Sequence, residues 1–280
     1  MVLETLKRTL HLLIHRPLLW ISGVYAGCIA ALVIWLEFTG GMFLAGKIAM
    51  LAVIAFPFIV GIMNHHLMTG DTDLKNLITT GLRNYFPIVL PVVILGGMIV
   101  IMALLLSVPL SIMGYGSDEY ALTGLMLGIL IPAILFSIYI DNVAVCEKTR
   151  IFDTLKRSLE LVTIKLSTSV GFFIISVIMT VIVSLFGAFL WGMILADRFT
   201  QFIDMNLTTQ QGVFSQYTLT DWQALIGPEG TIVTSLVFGL VTFILVPFLL
   251  TFKYSCYKEA TQEVVTIPGE YDEKGRWYKY

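Results

Sequence analysis

The chain has 280 residues, 57% of them hydrophobic and 13% charged, with a formal net charge of −2 and a mean hydropathy of +0.88. This excludes an ordinary soluble domain and points to a polytopic membrane protein. No run of short alternating segments suggests an outer-membrane barrel. The near-balanced charge gives no reason to expect a nucleic-acid partner.

Residues 1–16 place Leu3, Leu6, Leu10, Leu13 and Ile14 on one helical face, with Lys7, Arg8 and His11 off it. This predicts an interfacial helix with a basic wet side. Pro17 stands near the start of a first span over about 17–38, where a missing amide proton is tolerated. Lys7, Arg8 and Arg16 resemble a signal-peptide leader, and Tyr25-Ala26-Gly27-Cys28 loosely mimics a lipoprotein cleavage site. The apolar run continues ten residues past Cys28, so a retained span is expected instead. Phe38-Thr39-Gly40-Gly41 turns the chain into a second span at about 42–63.

Gly70-Asp71-Thr72-Asp73 reads as a cap for a helix running to about Tyr85. Pro87 and Pro91 then open a third span, about 86–110. A short acidic turn over 114–119 leads to a fourth, about 121–140. Ile151, Leu155, Leu159 and Val162 mark another surface helix, with Lys156, Arg157 and Glu160 toward water. A fifth span, 166–195, and a sixth, 231–252, flank a polar, aromatic and acidic connection over 197–230. A loop of that length is functional or partly disordered. It carries Asn206-Leu207-Thr208, a glycosylation acceptor in a glycosylating host.

The tail, 253–280, is broken by Ile267-Pro268-Gly269. Tyr271 to Tyr278 has the residue order of a short hairpin with a glycine-closed turn. Its aromatics suit lipid headgroups or, alternatively, docking to a protein partner. The 197–230 connection is a second candidate surface for such a partner.

Pro57, Pro132 and Pro247 occupy nearly the same frame in three apolar stretches: Phe56-Pro57-Phe58-Ile59, Ile131-Pro132-Ala133-Ile134 and Val246-Pro247-Phe248-Leu249. Each stretch closes a pair of spans, and a Leu-Lys step precedes each pair at Leu6-Lys7, Leu74-Lys75 and Leu155-Lys156. Leu6-Lys7-Arg8-Thr9-Leu10 and Leu155-Lys156-Arg157-Ser158-Leu159 match almost residue for residue. The expected architecture is therefore all-α, a polytopic membrane helical bundle of six transmembrane helices over 1–252. It is built as three repeats of interfacial helix plus transmembrane hairpin, about 1–66, 67–148 and 149–256.

Of the 17 Lys and Arg residues, all but Lys47 and Arg198 fall on the side that holds the N-terminus. The positive-inside bias then predicts a multi-pass protein of the cell membrane with both termini cytoplasmic. Cys28, Cys146 and Cys256 make no disulfide framework.

Motifs for a zinc-protease helix, a phosphate loop or a nucleophile elbow are absent, and no cofactor is expected. His11, His15, His65 and His66 lie near one interface and invite a divalent metal, but interfacial histidines are more simply amphipathic residues, and no metal site is assigned. Lys47, the one cation within a span, snorkels outward, with Glu37 across the turn as its expected structural partner. Nine residues after the repeat prolines come His66, Asp141 and Cys256; seven after come Asn64, Tyr139 and Tyr254. Packed about a pseudo-threefold axis, Asn64, His66, Asp141, Asn142 and Tyr254 would ring the cytoplasmic end as a binding site, below three proline-loosened turns. The bland alternative is that Asp141 and Asn142 end their helix among headgroups while Pro57, Pro132 and Pro247 serve packing. Gly23-x-x-x-Gly27 and Gly124-x-x-x-Gly128 suggest close internal helix contacts.

Asp141-Asn142-Val143-Ala144-Val145-Cys146-Glu147-Lys148 followed by Ile151 to Leu161 resembles the cytoplasmic helix of a broad group of six-span proteins. These include the membrane domain attached to glycerophosphoryl diester phosphodiesterases and its stand-alone prokaryotic relatives, many of them archaeal. Gly269 to Tyr278 is similar to tails of the archaeal members. The resemblance implies a non-catalytic membrane domain, since the chain has no room for the ~250-residue phosphodiesterase barrel. The leading expectation is a non-enzymatic scaffold or accessory subunit acting through membrane lipids or a protein partner. The alternative is a small-solute or lipid transporter with its pathway between the proline-kinked helices. An intramembrane enzyme would need His65, His66 and Asp141 to converge.

Overall fold

The computed structural model describes residues 2–114, 119–202, 206–265, 269–271 and 277–279. Its helices are α1 (Val2–His15), α2 (Ile21–Phe38, after a 3-10 turn over Pro17–Trp20), α3 (Met42–Thr69), α4 (Leu74–Ile112), α5 (Glu119–Ser137), α6 (Ile140–Cys146), α7 (Ile151–Ile164), α8 (Leu166–Ile194), α9 (Leu207–Gln216) and α10 (Leu219–Val265). Two short strands, β1 (Gly269–Tyr271) and β2 (Trp277–Lys279), pair antiparallel; the expected turn between them lies outside the described residues. So does most of the acidic turn at 115–118.

Six helices are long and apolar enough to cross a membrane: Pro17–Phe38, Met42–Thr69, Leu74–Ile112, Leu122–Cys146, Leu166–Ile194 and Leu219–Gln262. The chain is an all-α multi-pass membrane protein. Large apolar side chains such as Phe43, Val53, Leu105, Leu185 and Phe189 are exposed along these helices, as lipid contact requires.

The chain divides into two compact units: residues 1–15, 57–174 and 250–280, and residues 16–56 and 175–249. In the first, α4, α5, α6 and α7 pack on one another. Phe172 stacks on Phe252 with ring centroids 5.5 Å apart, and α1 docks on the end of α10 through Thr9 to Ser255 at 3.2 Å and Thr5 to Glu259.

In the second unit α2 and α10 approach so closely that a Cβ on Gly23 would lie 2.3 Å from the Phe243 carbonyl oxygen, and one on Gly27 2.7 Å from that of Gly239. Trp20 stacks on Phe243 at 5.1 Å. The 197–230 connection is largely helical there. Its rings Phe199, Phe202, Phe214, Tyr217 and Trp222 form one aromatic cluster, and Asn206 caps α9 by accepting from the Thr209 amide at 2.8 Å.

Several expectations need correction. The surface helix at 74–85 and the third span are one helix: α4 runs through Pro87 and Pro91, because proline's fixed φ suits a helix and only one hydrogen bond is lost at each. The sixth span does not stop at 252, since α10 continues to Val265, and it starts earlier, at Leu219, with a break at Gly227 (φ +69°) just before Pro228. Gly124 and Gly128 meet no atom within 4 Å of an added Cβ, so only the first of the two glycine pairs marks a close helix contact. Lys47 makes no ion pair with Glu37 among the described residues; its Nζ lies 4.1 Å over the Phe43 ring, one helical turn away on the same face.

The amphipathic faces also differ from expectation. On α1 the buried side chains are Thr5, Thr9 and Leu13, while Leu3, Leu10 and Ile14 are exposed; on α7 they are Thr154, Ser158, Leu161 and Val162. In a membrane setting the outward apolar residues meet lipid, and small hydroxyl residues dock on protein.

Candidate functional site

The polar cluster lies in the first unit. Asp73 caps α4, its Oδ1 accepting from the Lys75 amide at 3.2 Å, and so anchors the loop after α3. Alpha-helix α5 ends at Ser137, and the chain turns before α6 begins at Ile140. Ser158 on α7 fastens that turn from below: its hydroxyl donates to the Phe136 carbonyl at 2.7 Å and accepts from the Tyr139 amide at 3.3 Å. The turn carries Asp141 and Asn142 in the first turn of a buried helix, where they are 8% and 0% exposed.

Asp141 Oδ2 accepts from Lys253 Nζ at 2.5 Å and, more loosely, from Asn64 Nδ2 at 3.5 Å. One carboxylate thereby ties together α3, α6 and α10. Burying the carboxylate is tolerable because it is paired with the half-buried Lys253. Lys253 is the member that sequence reading missed, having been assigned to the tail. The available signal was a lysine between the apolar Phe252 and Tyr254, matched by an aspartate inside another apolar run.

His66 does not join Asp141 through any contact described. Its Nδ1 lies 2.6 Å from the Asp71 carbonyl oxygen and closes the end of α3. Tyr254 is buried, with its ring 6.3 Å from that of Tyr257, whose hydroxyl donates to Glu147 at 3.0 Å. Glu147 also receives the Arg157 guanidinium at 3.1 Å, so Arg157 is tied to protein rather than turned only to water. Of the five expected ring residues, then, Asn64 and Asp141 touch each other. Asn142 is wholly buried, and neither polar atom of its carboxamide has a hydrogen-bond partner among the described residues. The same holds for Asn64 Oδ1 and Thr251 Oγ1.

Pro57, Pro132 and Pro247 all lie inside helices, half-buried, exposed and buried in turn. Asp71, in the loop beside the cluster, has its carboxyl held below the usual range, chiefly by the hydrogen bond from the Asp73 amide at 2.9 Å and further by Asn76 and the His65 charge. Among the described residues no group of three His, Cys, Asp or Glu side chains is placed to hold a metal ion. The His11 and His15 rings lie 3.9 Å apart at a tilt of 37°.

Comparison with family models, curated proteins and solved structures finds no match for this chain.

Proposed function

We propose that the chain is a non-enzymatic protein of the cell membrane, with both termini cytoplasmic, that acts as a scaffold or accessory subunit through lipid and protein contacts. The observation that carries this reading is the self-pairing of the candidate site. Asp141 is neutralised by Lys253 and held by Asn64, so the one acid deep in the cluster is occupied in joining helices. The orientation rests on the positive-inside bias of the sequence.

The threefold repeat belongs to the same proposal. It is supported by register: Thr9, Leu77 and Ser158 follow the three Leu-Lys steps at the same offset, and each is buried, as are Leu13, Gly81 and Val162 four residues on. The kinship with stand-alone relatives of the phosphodiesterase membrane domain rests on the Asp141–Leu161 stretch and the closing tail.

A second reading, passage of a small polar solute, is favoured by the unpartnered carboxamide of Asn142 and the Oδ1 of Asn64, since buried polar groups ordinarily find partners. Proteoliposome swelling with a panel of polyols, amino acids and phosphate separates the two. The scaffold reading expects no flux above empty liposomes. Flux that disappears in Asn142→Leu would overturn it in favour of transport.

A further inference from the structure

We propose that the groove between α4 and the α5–α6 segment binds one anionic phospholipid of the cytoplasmic leaflet, headgroup at the α6 end and acyl chain along α5. The inference rests on the reading of the chain as a membrane protein that works through lipid contact, and it names that lipid.

Two cavities carry it. The first, about 210 Å³, is lined by His65, Thr80, Arg83, Asn84, Lys148 and Thr149 among others, with no carboxylate in its wall. Arg83 and Lys148 are exposed, whereas Thr80 and Thr149 are half-buried and Asn84 is buried. Cations at the rim over hydrogen-bonding groups in the floor suit a phosphodiester. Lys148, just past the C-cap of α6, is held at φ +52°, a left-handed helix ending that turns the chain at the cavity wall. Pro87, also in the wall, removes the amide that would cap the Arg83 carbonyl. Glu147, the neighbour of Lys148 in sequence, is occupied by Arg157 and Tyr257.

The second cavity, about 500 Å³, is almost wholly apolar and is lined by Leu95, Met98, Ile129, Pro132, Ala133 and Phe136 among others. Asn84 and Pro87 of the first cavity and Leu95, Met98 and Met102 of the second lie on one face of α4 at helical spacing, with the buried Pro91 between them. From Pro87 to Leu95 the helix rises about 12 Å. That is close to the half-thickness, roughly 15 Å, of the hydrocarbon core. A cationic pocket followed by an apolar one at that spacing has the shape of a phospholipid.

Native mass spectrometry of the full chain released from nanodiscs tests this. The probes are phosphatidylglycerol, phosphatidylcholine with the same acyl chains, and soluble glycerol phosphate. The wild-type chain should retain phosphatidylglycerol over phosphatidylcholine. Arg83→Gln with Lys148→Gln should weaken retention by about fivefold per basic side chain, roughly 30-fold together. Gly128→Phe, whose new side chain enters open space beside Ile129, should weaken retention of the lipids and leave glycerol phosphate unaffected. Equal retention of the two lipids by the wild-type chain overturns the proposal, whatever the variants do. Glycerol phosphate competing as well as the lipid reassigns the site to a soluble phosphate and overturns the lipid. Undiminished lipid in Gly128→Phe overturns the acyl half. Solute flux with the lipid still retained would sink the scaffold reading and leave this one standing; no flux and no lipid preference does the reverse.

Discussion

Lys253 and Asp141 lie 112 residues apart in sequence and meet at 2.5 Å, the one on α10 and the other at the start of α6. The pair explains how a short buried helix that begins with an acid survives in an apolar setting. Its stabilisation comes from mutual neutralisation, so removing one partner differs in kind from removing both.

Lys253→Met should therefore destabilise the chain by about 3–5 kcal/mol, because Asp141 is left buried and unpaired. Asp141→Asn combined with Lys253→Met should recover most of that loss. Thermal midpoints in one detergent check this; a double variant as unstable as the single would show that the ion pair is incidental.

Ser158→Ala should cost about 1–3 kcal/mol, since it strips the Tyr139 amide and the Phe136 carbonyl of a shared partner. Hydrogen exchange at the Tyr139 amide is the local readout, and it should accelerate well before the amides in the middle of α8 respond.

Gly27→Ala should destabilise by about 1–3 kcal/mol, as its Cβ would enter the Gly239 carbonyl. Gly124→Ala should be neutral or slightly stabilising, because nothing stands near it. Equal effects at the two sites would show that the α2–α10 approach is not close in the membrane.

The loop before α4 should depend on acid. The Asp71 carboxyl titrates lower in the folded chain than the free value of about 3.9. Its contribution is thus complete above about pH 4 and fades as the pH falls through the lowered value. The protection of the Asp73 amide, taken relative to its intrinsic exchange rate at each pH, should fall across that window. Asp71→Asn should remove the pH dependence while keeping an acceptor for the amide.

The spans were legible because apolar length alone decides a membrane helix, and nothing in the tertiary structure competes with it. The faces of α1 and α7 were harder. Periodicity located the apolar stripe, but in lipid a stripe of leucines does not say which side meets protein, and Thr9 and Ser158 carried that information instead. Asn64 and Asp141 could be placed together through the proline frame. Lys253 could not, because a lysine near a span end ordinarily snorkels to water. Lys47, near the other end of a span, instead lies over the Phe43 ring. The join of surface helix to span at Pro87 was obscured because proline reads as punctuation even where the helix continues.

Helix α4 has 39 residues in one uninterrupted run, about 58 Å at 1.5 Å per residue, nearly twice the roughly 30 Å of a hydrocarbon core. Even with its first turns in the headgroups, a rod of this length fits a thick bilayer more readily than a thin one, and mismatch carries a cost for each ångström. The apolar part of α4, residues 86–112, still spans about 40 Å, so tilting, or bending at Pro87, Pro91 and Pro109, is what fits this helix to a bilayer.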